Sequence, residues 1–186
     1  MVYIVAATVL FGLLAAVNLL LTVGVVRRLR EHTAELAALR RGPSGNDVAL
    51  PVDAEVAGFT ATAIDGRPVT LDALGSHPLV GFFSPHCAPC EESLPAFIEH
   101  AAGRPGGRNG VLAVVVGGTE ETAEVAEQLR AVATVVVEPD GGPAQQAFAV
   151  LGFPAFVLLD RGVVAASNYD LTPVVERDTV ALPAAR

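Results

Sequence analysis

The stretch Leu79-Val-Gly-Phe-Phe-Ser-Pro-His-Cys-Ala-Pro-Cys-Glu-Glu-Ser-Leu-Pro95 decides the fold. Its first part, Leu79–Ser84, is a short apolar run that is typical of a buried strand, and the residues after Cys87 carry a helical pattern. Pro89 falls in the first turn of that helix, where its missing N–H is tolerated and its fixed φ suits the helix. The sequence therefore predicts that Cys87 and Cys90 lie on the first turn of a helix that follows a buried strand.

The chain contains no cysteines besides this pair, which is too local to staple a domain. Disulfide exchange needs an exposed thiolate and a second thiol within reach. A helix N-terminus stabilises a thiolate because its N–H groups are unpaired and carry partial positive charge. We assign Cys87 as the exposed nucleophile and Cys90, one turn further in, as the resolving thiol. His86 is either an electrostatic tuner of the thiolate when protonated or an exposed loop histidine without a role.

A second apolar stretch, Gly152-Phe-Pro-Ala-Phe-Val-Leu-Leu-Asp160, opens with a proline at its third position. Pro154 cannot donate an N–H to a sheet, so one interpretation is an ordinary strand start. The other interpretation is a cis-proline loop that faces the cysteines. In that loop the backbone of Phe153 could pair with a substrate peptide as a short added strand.

The remaining pattern alternates strands and helices, which indicates an α/β sheet with helices on both faces. Hairpins are predicted at Phe59–Ile64 with Pro68–Leu71 and at Ala155–Asp160 with Val163–Ala166. Two further strands and three helices complete the pattern: strands Val111–Val116 and Thr134–Val137, and helices from Cys87 to about Ala102, Thr119–Ala133 and Pro143–Val150.

Residues 2–26 carry no charge, and as a helix they would reach about 37 Å, enough to cross a hydrocarbon core of about 30 Å. They lack a basic n-region and a small-residue cleavage site, which favours a retained anchor over a cleaved signal peptide. We predict a transmembrane anchor at residues 1–26, a basic juxtamembrane helix and linker at 27–52, and a folded domain at 53–186. Membrane lipid is therefore an expected partner of residues 2–26.

With these motifs the chain resembles membrane-anchored thioredoxin-like thiol-disulfide oxidoreductases of the TlpA-like and ResA-like kind. The pattern Ser84-Pro-x-Cys-x-x-Cys-x-x-x-Leu-Pro95 is most similar to MauD-type members. The resemblance implies a thioredoxin-like fold, protein thiols or disulfides as substrates, an upstream redox partner and no cofactor. It also implies that Cys87 and Cys90 are the redox couple, that Pro154 is a cis-proline, and that Pro95 bends the first helix.

The sequence departs from the family's pattern at three positions, which hold His86, Gly81 and Ser93. The last two leave the resolving thiol without its usual proton acceptor. Glu92, Glu91 or a water would have to accept that proton.

Other functions are weighed against the same residues. The part of the chain after residue 41 holds seven arginines against eighteen acidic residues, which argues against nucleic acid as a partner. A copper or zinc module would use Cys87, Cys90 and His86, but no second ligand pair completes a closed zinc site. A peroxidase would need other residues than Ser84 and Val80 before the reactive cysteine. A non-catalytic scaffold with a structural disulfide is the last alternative.

Two arguments disagree on which side of the membrane the domain lies. Basic residues follow the anchor and none precedes it, which favours a cytoplasmic domain; they are Arg27, Arg28, Arg30, Arg40 and Arg41. The resemblance favours the extracytoplasmic side, and a lone redox pair is compatible with either compartment. We predict the extracytoplasmic side on the strength of the resemblance, because MauD-type relatives share such a basic flank and the charge rule therefore carries less weight here.

Overall fold

The computed structural model describes Gly12 and residues 48–181. Within residues 48–181 the chain forms seven strands and four α-helices. The strands are β1 (Thr60–Thr62), β2 (Pro68–Thr70), β3 (Leu79–Phe83), β4 (Val111–Val116), β5 (Thr134–Glu138), β6 (Ala155–Asp160) and β7 (Val163–Asn168). The helices are α1 (Ala88–Gly103), α2 (Thr119–Leu129), α3 (Pro143–Ala147) and α4 (Leu171–Ala181).

The predicted anchor and most of the predicted linker lie outside the described residues. In the part of the chain that the structure does describe, no helix is both long enough and apolar enough to cross a bilayer.

The central sheet is mixed and has the strand order β5-β4-β3-β6-β7. Strands β3, β4 and β5 run parallel, while β6 is antiparallel to β3 and β7 to β6. Strands β1 and β2 form a separate antiparallel hairpin. This hairpin joins the edge of the sheet, since the Ile64 N–H donates to the Val135 carbonyl at 2.9 Å. The predicted α/β sheet and both predicted hairpins are confirmed.

Both faces of the sheet are covered, and every residue of β3 and β4 is buried. Burial on both faces explains why these strands read as unbroken apolar runs rather than as alternating patterns. One face packs against α1, α2 and α4 through a cluster that includes Phe83, Phe97 and Leu129. The opposite face packs against α3 and the β1–β2 hairpin around Phe82 and Phe148, whose rings meet edge to face at 5.3 Å.

Two predicted helices end early, and one helix was not predicted. Helix α2 stops at Leu129, whose carbonyl accepts the N–H of Val132 and of Ala133 in a turn that leads into β5. Helix α3 stops at Ala147, because Ala149 turns the chain with a φ of 48°. Helix α4 was missed, although the Asp170 carboxylate caps it by accepting the Thr172 N–H at 2.9 Å.

Candidate active site

Cys87 and Cys90 meet at the carboxyl end of the central strand β3, where α1 begins. The two residues are joined in a disulfide, and their Cα atoms are 5.2 Å apart. Cys87 has extended backbone angles and caps α1. The Cys90 N–H lies 3.2 Å from the Cys87 Sγ and 2.9 Å from the Cys87 carbonyl oxygen. One turn of helix therefore brings both sulfurs together, as the sequence predicted, and places a backbone donor against the Cys87 sulfur.

The two sulfurs differ in their exposure to solvent. Cys87 is half-buried, whereas Cys90 is 3% exposed and packs in the apolar cluster under α1. Cys87 can therefore be reached from solvent, while the nearly inaccessible Cys90 lies within bonding distance of the Cys87 sulfur.

Aromatic rings fill the space beneath this turn and account for the unusual glycine in β3. A Cβ atom built on Gly81 would lie 2.8 Å from ring atoms of both Phe83 and Phe97. Those two rings pack edge to face at 5.1 Å. No side chain fits at position 81 without moving them, since real Cβ contacts are essentially never that short. The cluster that contains Cys90 is therefore apolar at position 81.

The loop before Cys87 packs against the turn that follows β4. A Cβ atom on Gly117 would lie 3.2 Å from the Pro85 ring, so the glycine permits this close approach. His86 itself is exposed, and its Nε2 lies 3.7 Å from the Glu121 Oε1 in the first turn of α2. His86 therefore has an acidic neighbour, Glu121, in the structure. The influence of His86 on the Cys87 thiolate stays a prediction.

Phe153 and Pro154 lie at the start of β6, next to the end of β3. The Phe153–Pro154 peptide bond is cis, as the sequence interpretation proposed. Ala155 pairs with Phe82, so the loop enters the sheet beside the strand that leads to the cysteines. Pro154 is buried, while Phe153 is half-buried and packs against the same cluster as Cys87 and Cys90. The pairing of β6 with β3 therefore brings the Phe153–Pro154 loop to the end of the strand that leads to the cysteines.

The remaining predicted site residues lie on α1. Pro89 is exposed in the first turn, and Glu91 and Glu92 are exposed one step further along. Ser93 donates its hydroxyl to the Pro89 carbonyl at 2.8 Å. The role of Glu92 as proton acceptor for Cys90 stays a prediction. Pro95 lies inside the helix, where its ring removes one backbone donor.

The metal-binding interpretation took Cys87, Cys90 and His86 as its ligands. Among the described residues, no group of three His, Cys, Asp or Glu side chains is placed to hold a metal ion.

Solved structures with the same arrangement of elements identify the fold. The thioredoxin domain of a thiol-disulfide oxidoreductase from Bacteroides vulgatus superposes with a TM-score of 0.57 at 21% identity, covering 69% of this chain and 98% of that one. The chain has the thioredoxin-like fold. A thiol:disulfide interchange protein from a Bacteroides species gives a TM-score of 0.60 at 17% identity, covering 74% of this chain and 93% of its own.

A third thioredoxin-like structure, a secreted disulfide oxidoreductase from Mycobacterium tuberculosis, gives a TM-score of 0.54 at 20% identity, covering 67% of this chain and 96% of its own. No protein-family model matches the chain, and no curated protein matches its sequence. At these identities the likeness shows the fold alone.

Proposed function

We propose that this protein exchanges disulfides with protein substrates through the Cys87–Cys90 pair. One observation carries the proposal: an accessible Cys87 caps a helix, is bonded to a buried Cys90, and packs on the same apolar cluster as the residue before a cis-proline. A structural disulfide needs no such asymmetry in exposure. Solved structures of the same fold that are named as thiol-disulfide oxidoreductases support the proposal.

The reaction in the reducing direction has two steps. The Cys87 thiolate attacks one sulfur of a substrate disulfide, forms a mixed disulfide and releases one substrate thiolate. Cys90 then loses its proton and attacks the Cys87 sulfur, so that the Cys87–Cys90 disulfide forms and the second substrate thiolate leaves. Two electrons pass to the substrate, and a dithiol partner must return them by the same steps in reverse. Oxidation of substrates is the reverse sequence with a disulfide partner.

The full chain, purified in detergent micelles, should accelerate the reduction of insulin by dithiothreitol by about tenfold or more over the uncatalysed rate. The aggregation of the released insulin chain reports the rate. A chain with Cys87→Ser and Cys90→Ser should return to the uncatalysed rate, because no thiol is left for exchange. Equal rates with the wild-type and doubly substituted chains would rule out the proposed activity.

We further propose that the protein is a membrane-tethered member of the TlpA-like group, most similar to MauD-type proteins, and that an upstream redox partner maintains its cysteines. The motif around Cys87 and the β1–β2 hairpin before β3 support this assignment. Lipid would contact residues 2–26, whose 25 uncharged positions support an anchor.

The domain is proposed to lie on the extracytoplasmic side, where tethered thiol-disulfide oxidoreductases act on exported proteins. A fold neighbour that is named as secreted supports this side, while the five arginines after residue 26 oppose it.

Reporter fusions test this sidedness. Alkaline phosphatase fused after Arg186 should be strongly active, because the enzyme needs disulfides that form outside the cytoplasm. The matched control is a fusion of a fluorescent protein that matures only in the cytoplasm. Fluorescence without phosphatase activity would place the domain inside the cell.

A further inference from the structure

Leu151 is the most exposed large apolar side chain among residues 48–181. It is 81% exposed, compared with 58% for Tyr169, 53% for Val52 and 46% for Ile64. Single exposed leucines are common on protein surfaces, so exposure by itself decides nothing. Its position and its backbone contacts distinguish it.

The first distinguishing feature is the distance along the chain to the site. Leu151 is two residues before Phe153, and two residues of chain span at most about 7 Å. Phe153 packs against the cluster that also contacts Cys87 and contains Cys90. Leu151 therefore lies on the loop that borders the redox site.

The second feature is a backbone that holds this loop in place. The Leu151 N–H donates to the Val48 carbonyl at 2.8 Å, and the Leu50 N–H donates to the Phe148 carbonyl at 2.9 Å. Val150, the preceding residue, is buried with 6% exposure. Val150 is buried and the Leu151 N–H is bonded to the Val48 carbonyl, so the backbone at Leu151 is held in place while Leu151 itself is exposed to solvent.

The third feature is the chemistry of the surroundings. The loop sequence from Ala147 to Pro154 contains no charged residue, whereas α1 carries Glu91 and Glu92 and α2 carries Glu121. Within this stretch of the chain, an apolar side chain of a substrate would meet no charged side chain.

We propose that Leu151 is a specificity-determining residue that contacts an apolar side chain next to the reacting cysteine of a protein substrate. This inference rests on the proposed disulfide exchange and names its substrate class: extended segments in which an apolar residue flanks the cysteine. Burying that side chain against Leu151 removes apolar surface of both partners from water and strengthens binding.

A double-mutant cycle between protein and peptide tests the contact. The substrates are two hexapeptides whose single cysteine is linked by a disulfide to thionitrobenzoate, with either leucine or serine beside the cysteine. Release of the coloured thionitrobenzoate thiolate follows the attack by Cys87. In a single turnover, the reduced full chain should react with the leucine peptide about tenfold faster than with the serine peptide, as measured by the second-order rate constant of thionitrobenzoate release.

Leu151→Ser should reduce this preference to about twofold or less, and Leu151→Met, which conserves volume, should restore it. Ile64→Ser is the matched control, because Ile64 is also exposed but lies beside β5, and this variant should keep the wild-type preference. An unchanged preference in Leu151→Ser overturns the inference while leaving the proposed function intact. A wild-type chain that releases no thiolate from either peptide overturns the proposed function and the inference with it.

Discussion

The Cys90→Ser chain will accumulate a covalent mixed disulfide with its protein substrate, whereas the Cys87→Ser chain will form none. Both variants should lose multiple turnover and fall to the uncatalysed rate of insulin reduction. The reason is the division of the two steps between an accessible and a buried sulfur. Cys87 alone can attack a substrate disulfide but cannot release the product, while Cys90 alone is too buried to be reached.

Non-reducing gels of acid-quenched reactions, followed by mass spectrometry, measure the trapped species. Ser93→Ala is a matched control, since the Ser93 hydroxyl lies in the same turn and, among the described residues, donates to the Pro89 and Cys90 carbonyls. Its rate should stay within about twofold of wild type, because removing an exposed hydroxyl leaves both thiols in place. Trapping by Cys87→Ser, or full turnover by either cysteine variant, would contradict the assigned order of attack.

The site was predictable from sequence because its parts are local. The spacing of Cys87 and Cys90, the proline between them and the apolar run before them each depend on one strand-to-helix turn. Pro154 was harder to place, since its relation to the cysteines depends on β6 pairing beside β3. The register of Phe82 with Ala155 brings the loop before β6 to the end of β3, and its docking against the cysteines stays a prediction.

The parts that sequence did not predict are contacts between distant residues. Gly81 departs from the pattern of the proteins that the chain resembles, and a Cβ atom at this position would collide with the rings of Phe83 and Phe97. Helix α4 was not predicted, although Pro173 in its first turn and the Asp170 cap before it were usable signals.

A further contact that the sequence did not predict is a buried ion pair at the C-terminal end of α1. The Arg104 guanidinium donates two hydrogen bonds, of 2.7 and 2.8 Å, to the Asp178 carboxylate of α4. Both side chains are 2% exposed. The same guanidinium donates to the His77 and Gly110 carbonyls. His100 approaches the Asp178 carboxylate at 2.7 Å. The network joins α1, α4 and the segments that lead into β3 and β4.

Asp178 should make the stability of the domain depend on acid pH. Burial acts to raise the pKa of Asp178, but hydrogen bonds from Arg104 and His100 outweigh it and hold this pKa below its usual value. A carboxyl whose pKa is lower in the folded state adds stability above the unfolded value of about 3.9. That stability is lost as the pH falls through the folded pKa.

Arg104→Met should therefore lower the free energy of unfolding by about 3–5 kcal/mol at pH 7, because it leaves Asp178 buried without its main partner. Urea unfolding followed by circular dichroism measures the loss. The difference in the free energy of unfolding from wild type should narrow as the pH falls below about 4 and through the lowered folded pKa of Asp178, because the protonated carboxyl no longer needs the guanidinium. Arg130→Met is the matched control, since Arg130 pairs with Glu127 on the exposed face of α2. This substitution should change the free energy of unfolding by less than about 0.5 kcal/mol.

Replacing both partners, Arg104→Met with Asp178→Leu, should recover part of the lost stability, because no unpaired carboxylate is then buried. Equal stabilities for Arg104→Met and Arg130→Met would show that the network contributes no more than a surface pair.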